Sequence, residues 1–191
     1  MPEKIRFSPD KRTWRPSPLL GQITLVTTTN EDGSSNVAPK SWVSMMAFEP
    51  ALLALGCNRA HWTARSILRT GEFVVNVPGA DLAGTIWRMP ELPHPRSVTA
   101  AGLTPLPATA VAPPLIEECK AHLECTLVDQ LSYGEEIVIL GVITAAAIDR
   151  AAIDRTGTPG QDPYEYLRML VFLEDRTYGV IDSAHQVPRA G

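Results

Sequence analysis

The sequence predicts a mainly β fold, an antiparallel barrel or sandwich, on three observations. Short runs rich in β-branched residues recur along the chain, the turns between them are short, and the few helical patterns stand singly between strands. No Gly-x-Gly-x-x-Gly follows any of these runs and there is no Walker A loop, so a nucleotide cofactor, if one is used, is not held in a Rossmann crevice.

The elements follow in order. "QITLVTTT" (22–29) reads as a strand, and "NEDG" (30–33) supplies the turn chemistry of a hairpin. "NVAPKSWVSMMAF" (36–48) reads as its partner, interrupted at Pro39. Glu49-Pro50 and the strand "ALLALGC" (51–57) come next. "NRAHWTARSILRTG" reads as a helix with Trp62, Ile67 and Leu68 on its apolar face and Gly71 at its C-terminal cap. "EFVVNV" (72–77) is a strand and "ADLAGTIWRM" (80–89) a second helix. From Met89 to Pro114, seven prolines in 26 residues predict a long ordered loop packed over the core. A second β block follows at 121–131, 135–148, 167–173 and 177–181, with 149–163 as a polar excursion.

At 191 residues the chain is long enough to bury one substantial core without disulfides or structural metal. A formal charge of -4 argues against a nucleic-acid binder. No apolar run approaches the roughly 18 residues of a membrane span. The basic residues Lys4, Arg6, Lys11, Arg12 and Arg15 read as a solvated arm (1–17) rather than a signal peptide. Cys57, Cys119 and Cys125 lack Cys-x-x-Cys spacing, which excludes a paired disulfide framework, argues against zinc and fits the cytoplasm.

Two stretches carry candidate chemistry. Pro39 cannot donate to a ladder, so it belongs at an edge or a bulge. Around it stand Asn36, Ser41, Ser44 and Trp42, hydrogen-bonding groups beside a flat apolar surface. That suits a planar heteroaromatic ligand, or equally an edge strand with a solvated polar face. Trp42 is a candidate core residue as well. In "NRAHWTARS" (58–66) a strand leads into a helix start, where Arg59, Thr63, Arg65 and Ser66 offer donors to a phosphate. Thr63 could instead bond back to its own helix, with Arg65 a surface charge. His94 sits in the proline-rich loop as a solvated group or a proton donor, and His61, His122 and His185 show no metal spacing.

Taken together, these residues resemble the flavin reductase-like family of FMN-binding split barrels, which includes the flavoredoxins. The resemblance rests on "ITLVTTTNEDGSSNVAPKSWVSMMAFEPALLALGC", "TARSILRTGEFVVNV" and "AGLTPLPATAVAPPLIEECKAHLEC", and runs from about residue 18 to 181. It implies a homodimeric split β-barrel of Greek-key type (18–191) with FMN near the dimer interface. Carried over by motif, Asn36, Val37, Ala38 and the backbone after Pro39 would contact the flavin ring, with Ser41, Trp42 and Ser44 beside it. Thr63 would hold the ribityl phosphate with Asn58, Arg59, Arg65 and Ser66. Arg96 stands for the family's basic residue before Ala-Gly-Leu-Thr-Pro, one residue off its spacing, and Phe172 falls where the family has an aromatic near the flavin.

Two departures concern the chemistry. His61-Trp62 replaces the Lys-Asp pair of many relatives. Gly134-Glu135-Glu136 replaces Gly-Asp-His and puts a carboxylate where an imidazole would stand. The implied function is reduction of FMN by NADH or NADPH, with hydride transfer needing no assembled triad. An FMN-bound electron carrier serving a protein partner, such as a monooxygenase, is the alternative, and a dimeric binding module without cofactor is the third reading.

Overall fold

The computed structural model describes residues 2–8, 10, 12 and 15–185. A two-residue strand, β1 (Gly21–Gln22), precedes the expected hairpin of β2 (Thr24–Thr29) and β3 (Ser35–Lys40), whose turn places Gly33 at φ 81°. Then come β4 (Val43–Phe48), β5 (Ala51–Asn58), α1 (Trp62–Thr70) and β6 (Glu72–Val77). α2 (Ala83–Arg88) is flanked by single 3-10 turns, and β7 (Pro105–Leu106) pairs with β8 (Leu115–Ile116). The long strands β9 (Ala121–Tyr133) and β10 (Glu136–Ile148) follow, then α3 (Arg150–Arg155), α4 (Pro163–Leu167), β11 (Met169–Glu174) and β12 (Thr177–Ile181).

Seven strands form one antiparallel sheet in the order β3-β2-β6-β9-β10-β5-β4, and β1, β11 and β12 form a smaller one. The order contains its own closure. β3 and β4 occupy opposite edges, yet only Ser41 and Trp42 separate them in the chain. The sheet must therefore curl until its edges nearly meet, and the seam of this split barrel is the segment Pro39–Trp42.

Alternation along the strands feeds two cores, one on each face of the sheet. In β2, Val26 joins Leu53, Leu55, Phe73, Ile137 and Ile139 inside the barrel, where Ala64 and Ile67 of α1 complete the packing. Its neighbour Leu25 faces outward to Val37, Ile86, Met89, Val98, Leu103 and Leu170, under the second helix and the proline-rich loop. A strand buried on both faces explains the apolar, β-branched run seen in the sequence.

The 89–114 segment is an ordered loop packed over the core, as its prolines suggest. The Glu124 carboxylate accepts from Thr109 N, Thr109 Oγ1 and Ala110 N, and Glu72 Oε2 accepts from Ala112 N at 2.9 Å. Burial would raise the Glu124 pKa, but these donors and Val111 outweigh it and hold the carboxyl below its usual range.

Three expectations need correction. The break in 36–48 falls at Ser41-Trp42. Pro39 stays in register opposite Leu25 on an edge strand, and the irregularity lies further on, between Met45 and Ala47. On α1 the buried face is Thr63, Ala64, Ser66 and Ile67, not Trp62 and Leu68. The polar excursion at 149–163 holds α3 and the start of α4. The basic arm is exposed at Lys4, Arg6 and Arg12, with two surface pairs to the β11–β12 hairpin: Arg12 Nη2 lies 2.6 Å from Glu174 Oε1, and Arg15 pairs with Asp175. Lys11 lies outside the described residues.

Candidate functional site

Three neighbouring cavities of about 370, 420 and 390 Å³ meet at the seam, and Pro39 and Lys40 line all of them. The seam is narrow because glycines let backbone through. A Cβ on Gly21 of β1 would stand 1.8 Å from the Ser41 carbonyl oxygen, and one on Gly56 would stand 3.2 Å from the Trp42 ring. Trp42 thus lies on the outer face over Gly56, 60% exposed, which ends its candidacy as a core residue.

The 390 Å³ cavity is lined by Asn36, Ala38, Thr63 and four groups that carry or can carry positive charge: Lys40, His61, His94 and Arg96. It receives the N-terminus of α1. No side chain caps that helix, and its first turn has no acidic residue. Thr63 is 1% exposed, and its Oγ1 has no hydrogen-bond partner among the described residues. Its helix does not take the hydroxyl back. A buried, unpaired hydroxyl costs stability, and here it points to an acceptor that the protein does not itself supply.

The charges agree. Lys40 Nζ donates to His61 Nδ1 at 3.2 Å, and Arg96 Nη2 donates to His94 Nε2 at 2.8 Å. Burial, with a smaller push from Arg96, pulls the Lys40 pKa down against an opposing effect of Cys57; burial and then Lys40 does the same to His61. Burial and Arg96 lower His94, and burial lowers Arg96 itself. Every one of these shifts is of the kind an incoming anion reverses. With α1's free N–H groups, the cavity has the make-up of a phosphate site.

The 420 Å³ cavity continues from Pro39 over Ser41, Trp42, Gly56, Cys57 and Asn58, with Glu136 on its exposed rim opposite Asn58 in the β10–β5 register. Burial raises the Cys57 thiol pKa, leaving it a packing group. The 370 Å³ cavity is walled by Ile23, Ile86, Trp87, Pro90 and Phe172.

Of the residues expected at a site, the fold brings Asn36, Ala38, Pro39, Ser41, Trp42, Asn58, Thr63 and Arg96 to the two cavities beside α1, and Phe172 to the third. Asn36 also has a structural task. Its Oδ1 accepts from Arg96 N at 3.3 Å and its Nδ2 donates to Thr28 Oγ1, while Val37 N donates to Arg96 O at 2.8 Å. The loop around Arg96 is thereby stitched along the free edge of β3. Val37 itself is in the core, Ser66 is buried on the inner face of α1, Ser44 is exposed on β4, and Arg65 stacks on the Trp62 ring at 4.9 Å. Arg59 bonds Glu135 O through its backbone N. None of these five lines any of the three cavities described above.

Sequence reasoning missed Lys40, the residue common to all three cavities, although its place beside Pro39 was the available signal. It also set aside His61 as lacking metal spacing and read His94 only as a solvated group or proton donor of the loop, since nothing local shows that they converge.

Residues 18–177 match the flavin reductase like domain. Among curated proteins, an uncharacterized protein of Pyrococcus abyssi is 24% identical over 131 residues, covering 69% of this chain and 76% of that protein. One from Archaeoglobus fulgidus is 32% identical over 110 residues, 56% of this chain and 62% of its own, so under two thirds of that relative is spanned. Among solved structures, nitrilotriacetate monooxygenase component B from Bacillus cereus superposes with a TM-score of 0.83 at 19% identity, covering 98% of this chain and 100% of that one. Flavoredoxin from Methanosarcina acetivorans gives 0.79 at 21%, covering 97% and 95%. With that domain matched over most of its length and the split-barrel fold shared from end to end, the chain belongs to the flavin reductase-like family.

Proposed function

We propose that the protein is an FMN-binding oxidoreductase that transfers a hydride from NADH or NADPH to FMN, working as a homodimer in the cytoplasm. The observation that carries this reading is Thr63 Oγ1, buried and unpartnered at the uncapped start of α1 in a cavity ringed by Lys40, His61, His94 and Arg96. In this reading Thr63, the α1 amides, Lys40 and Arg96 hold the ribityl phosphate. The Pro39–Trp42 backbone and the Trp42 surface receive the ring, and Asn36 positions Arg96. FMN supplies the redox chemistry by accepting a hydride at its N5. Glu136, on the cavity rim, would disfavour added negative charge on the reduced ring.

The dimer is supported by the outer face of the barrel. Leu131, Val138, Gly56 and Trp42 form one row across β9, β10 and β5 to the seam, and Met46 and Phe48 of β4 are 52% and 96% exposed. A second copy covering this face would bury it and enclose the ring beside Trp42.

Purified protein tests the reading. Saturable FMN binding together with rapid NADH or NADPH oxidation on adding FMN is expected. Binding without oxidation of either nucleotide would replace the reductase with an electron carrier for a protein partner, such as a monooxygenase. Absence of FMN binding would sink both.

A further inference from the structure

The lysines of the chain are Lys4, Lys11, Lys40 and Lys120. Lys4 is exposed, and the Lys120 ammonium lies over the Tyr166 ring, 5.0 Å from its centroid. Among the described lysines, Lys40 alone lines a cavity of the seam, and it lines all three. It is half-buried, and its ammonium donates to His61 Nδ1 at 3.2 Å. A proton acceptor therefore already stands at transfer distance from the amine. Lysine becomes a nucleophile once it sheds that proton, which a site withdrawn from water and shared with other cations favours. Burial and Arg96 act on Lys40 in that direction, against Cys57.

The 390 Å³ cavity joins this amine to a cradle for phosphate. Thr63 Oγ1 is buried there without a partner among the described residues, beside the uncapped start of α1, and Arg96 lines the same wall set. Among the described residues no carboxylate lines this cavity, so no internal anion competes for its cations. Glu136 stands instead on the rim of the neighbouring 420 Å³ cavity. A nucleophilic amine, its base and a phosphate cradle thus share one chamber. That combination fits a ligand whose electrophilic carbon is joined directly to a phosphate.

We infer that Lys40 is an acylation site for small acyl phosphates: Thr63, the α1 amides and Arg96 hold the phosphate while the Lys40 amine attacks the carbonyl carbon. His61 takes one ammonium proton and the N–C bond forms. The bond from the carbonyl carbon to the bridging oxygen breaks, and its electron pair leaves on the phosphate. The second amine proton goes to that phosphate. The products are the amide, hydrogen phosphate and one proton, which His61 returns to solvent. An amide carries no charge, so the modified cavity lacks one of its cations. The regulatory consequence rests on the flavin reading: acylation lowers FMN affinity and ties occupancy of the site to the supply of acyl phosphate.

Acetyl phosphate is the probe, incubated with the purified full chain with and without added FMN, and acetylation of each lysine is followed by peptide mass spectrometry. Without FMN, Lys40 should react at least about tenfold faster than Lys4 and Lys120, because the bound phosphate holds the carbonyl beside it. Inorganic phosphate should slow Lys40 and leave the other two unchanged. p-Nitrophenyl acetate, an acyl donor without phosphate, should lose most of the preference. Thr63→Val and Arg96→Gln should bring Lys40 down toward the other lysines, with melting curves showing that each variant is folded. Lys40 reacting no faster than Lys4, or equally preferred by both donors, would overturn the assignment. Protection of Lys40 by inorganic phosphate but not by FMN would sink the flavin reading and leave the acylation site standing.

Discussion

Lys40 Nζ donates to His61 Nδ1 across 3.2 Å, so a lysine of the barrel seam and the residue before α1 share one proton-poor contact. The bond requires a neutral imidazole, and burial with the Lys40 charge keeps it neutral by lowering the His61 pKa below the ordinary 6.5. His94 stands in the same relation to Arg96.

A pH dependence with a definite sign follows. Below pH 6.5 the unfolded chain protonates these histidines and the free protein does not, so the free protein loses stability as pH falls through that region. A phosphate in the cavity raises both pKa values. The melting-temperature gain from FMN should therefore grow between about pH 7.5 and about pH 6, and that from riboflavin should stay flat. Equal pH profiles for the two ligands would remove the histidines from the phosphate site.

Thr63→Val separates binding from folding. In the free protein it deletes a buried hydroxyl with no partner, so stability should hold or rise. FMN affinity should fall by on the order of 1–3 kcal/mol, while riboflavin affinity is unchanged. A variant that melts lower and binds FMN as before would show a purely structural threonine.

Glu124→Gln probes the loop clamp. The carboxylate accepts from Thr109 and Ala110 and its pKa is lowered, so its stabilisation is present above the ordinary 4.5 and fades as pH falls below it. At neutral pH the variant should be less stable by about 1–3 kcal/mol. Denaturant curves should converge with those of the wild type in acid. A constant gap from neutral to acid pH would mean that the charge is not what holds the loop.

Leu131→Glu and Phe48→Glu address the outer face. Both side chains are exposed in the single chain, so neither change should unfold it. Sedimentation should show a dimer for the wild type and monomers for the double variant. A variant that sediments as a dimer would place the interface elsewhere.

The sequence disclosed the strands well where local chemistry decides them. "TLVTTT" and "EFVVNV" are β-branched runs between turn signals, and Gly71 takes the left-handed cap at φ 75° that its position after an apolar stripe demands. The seam was less legible. The break at Ser41-Trp42 is set by Gly21 packing on the Ser41 carbonyl and Trp42 lying on Gly56, contacts between residues far apart in the chain. His61 and His94 meet because the loop is stitched to β3 through Asn36, which no spacing reveals. α3 and α4, six and five residues long, are too short to show a period and are helical through their packing.

That two-residue link between opposite edges of the sheet has a mechanical meaning. A molecule seated across Pro39–Trp42 fastens the first edge strand to the last, as a rivet fastens a rolled plate. Amide protons of β3 and β4 should then exchange more slowly with solvent once the cavities are filled, while those of β9 and β10, held on both sides already, keep their rates. Occupancy of the site would stiffen a roll that the chain itself already closes.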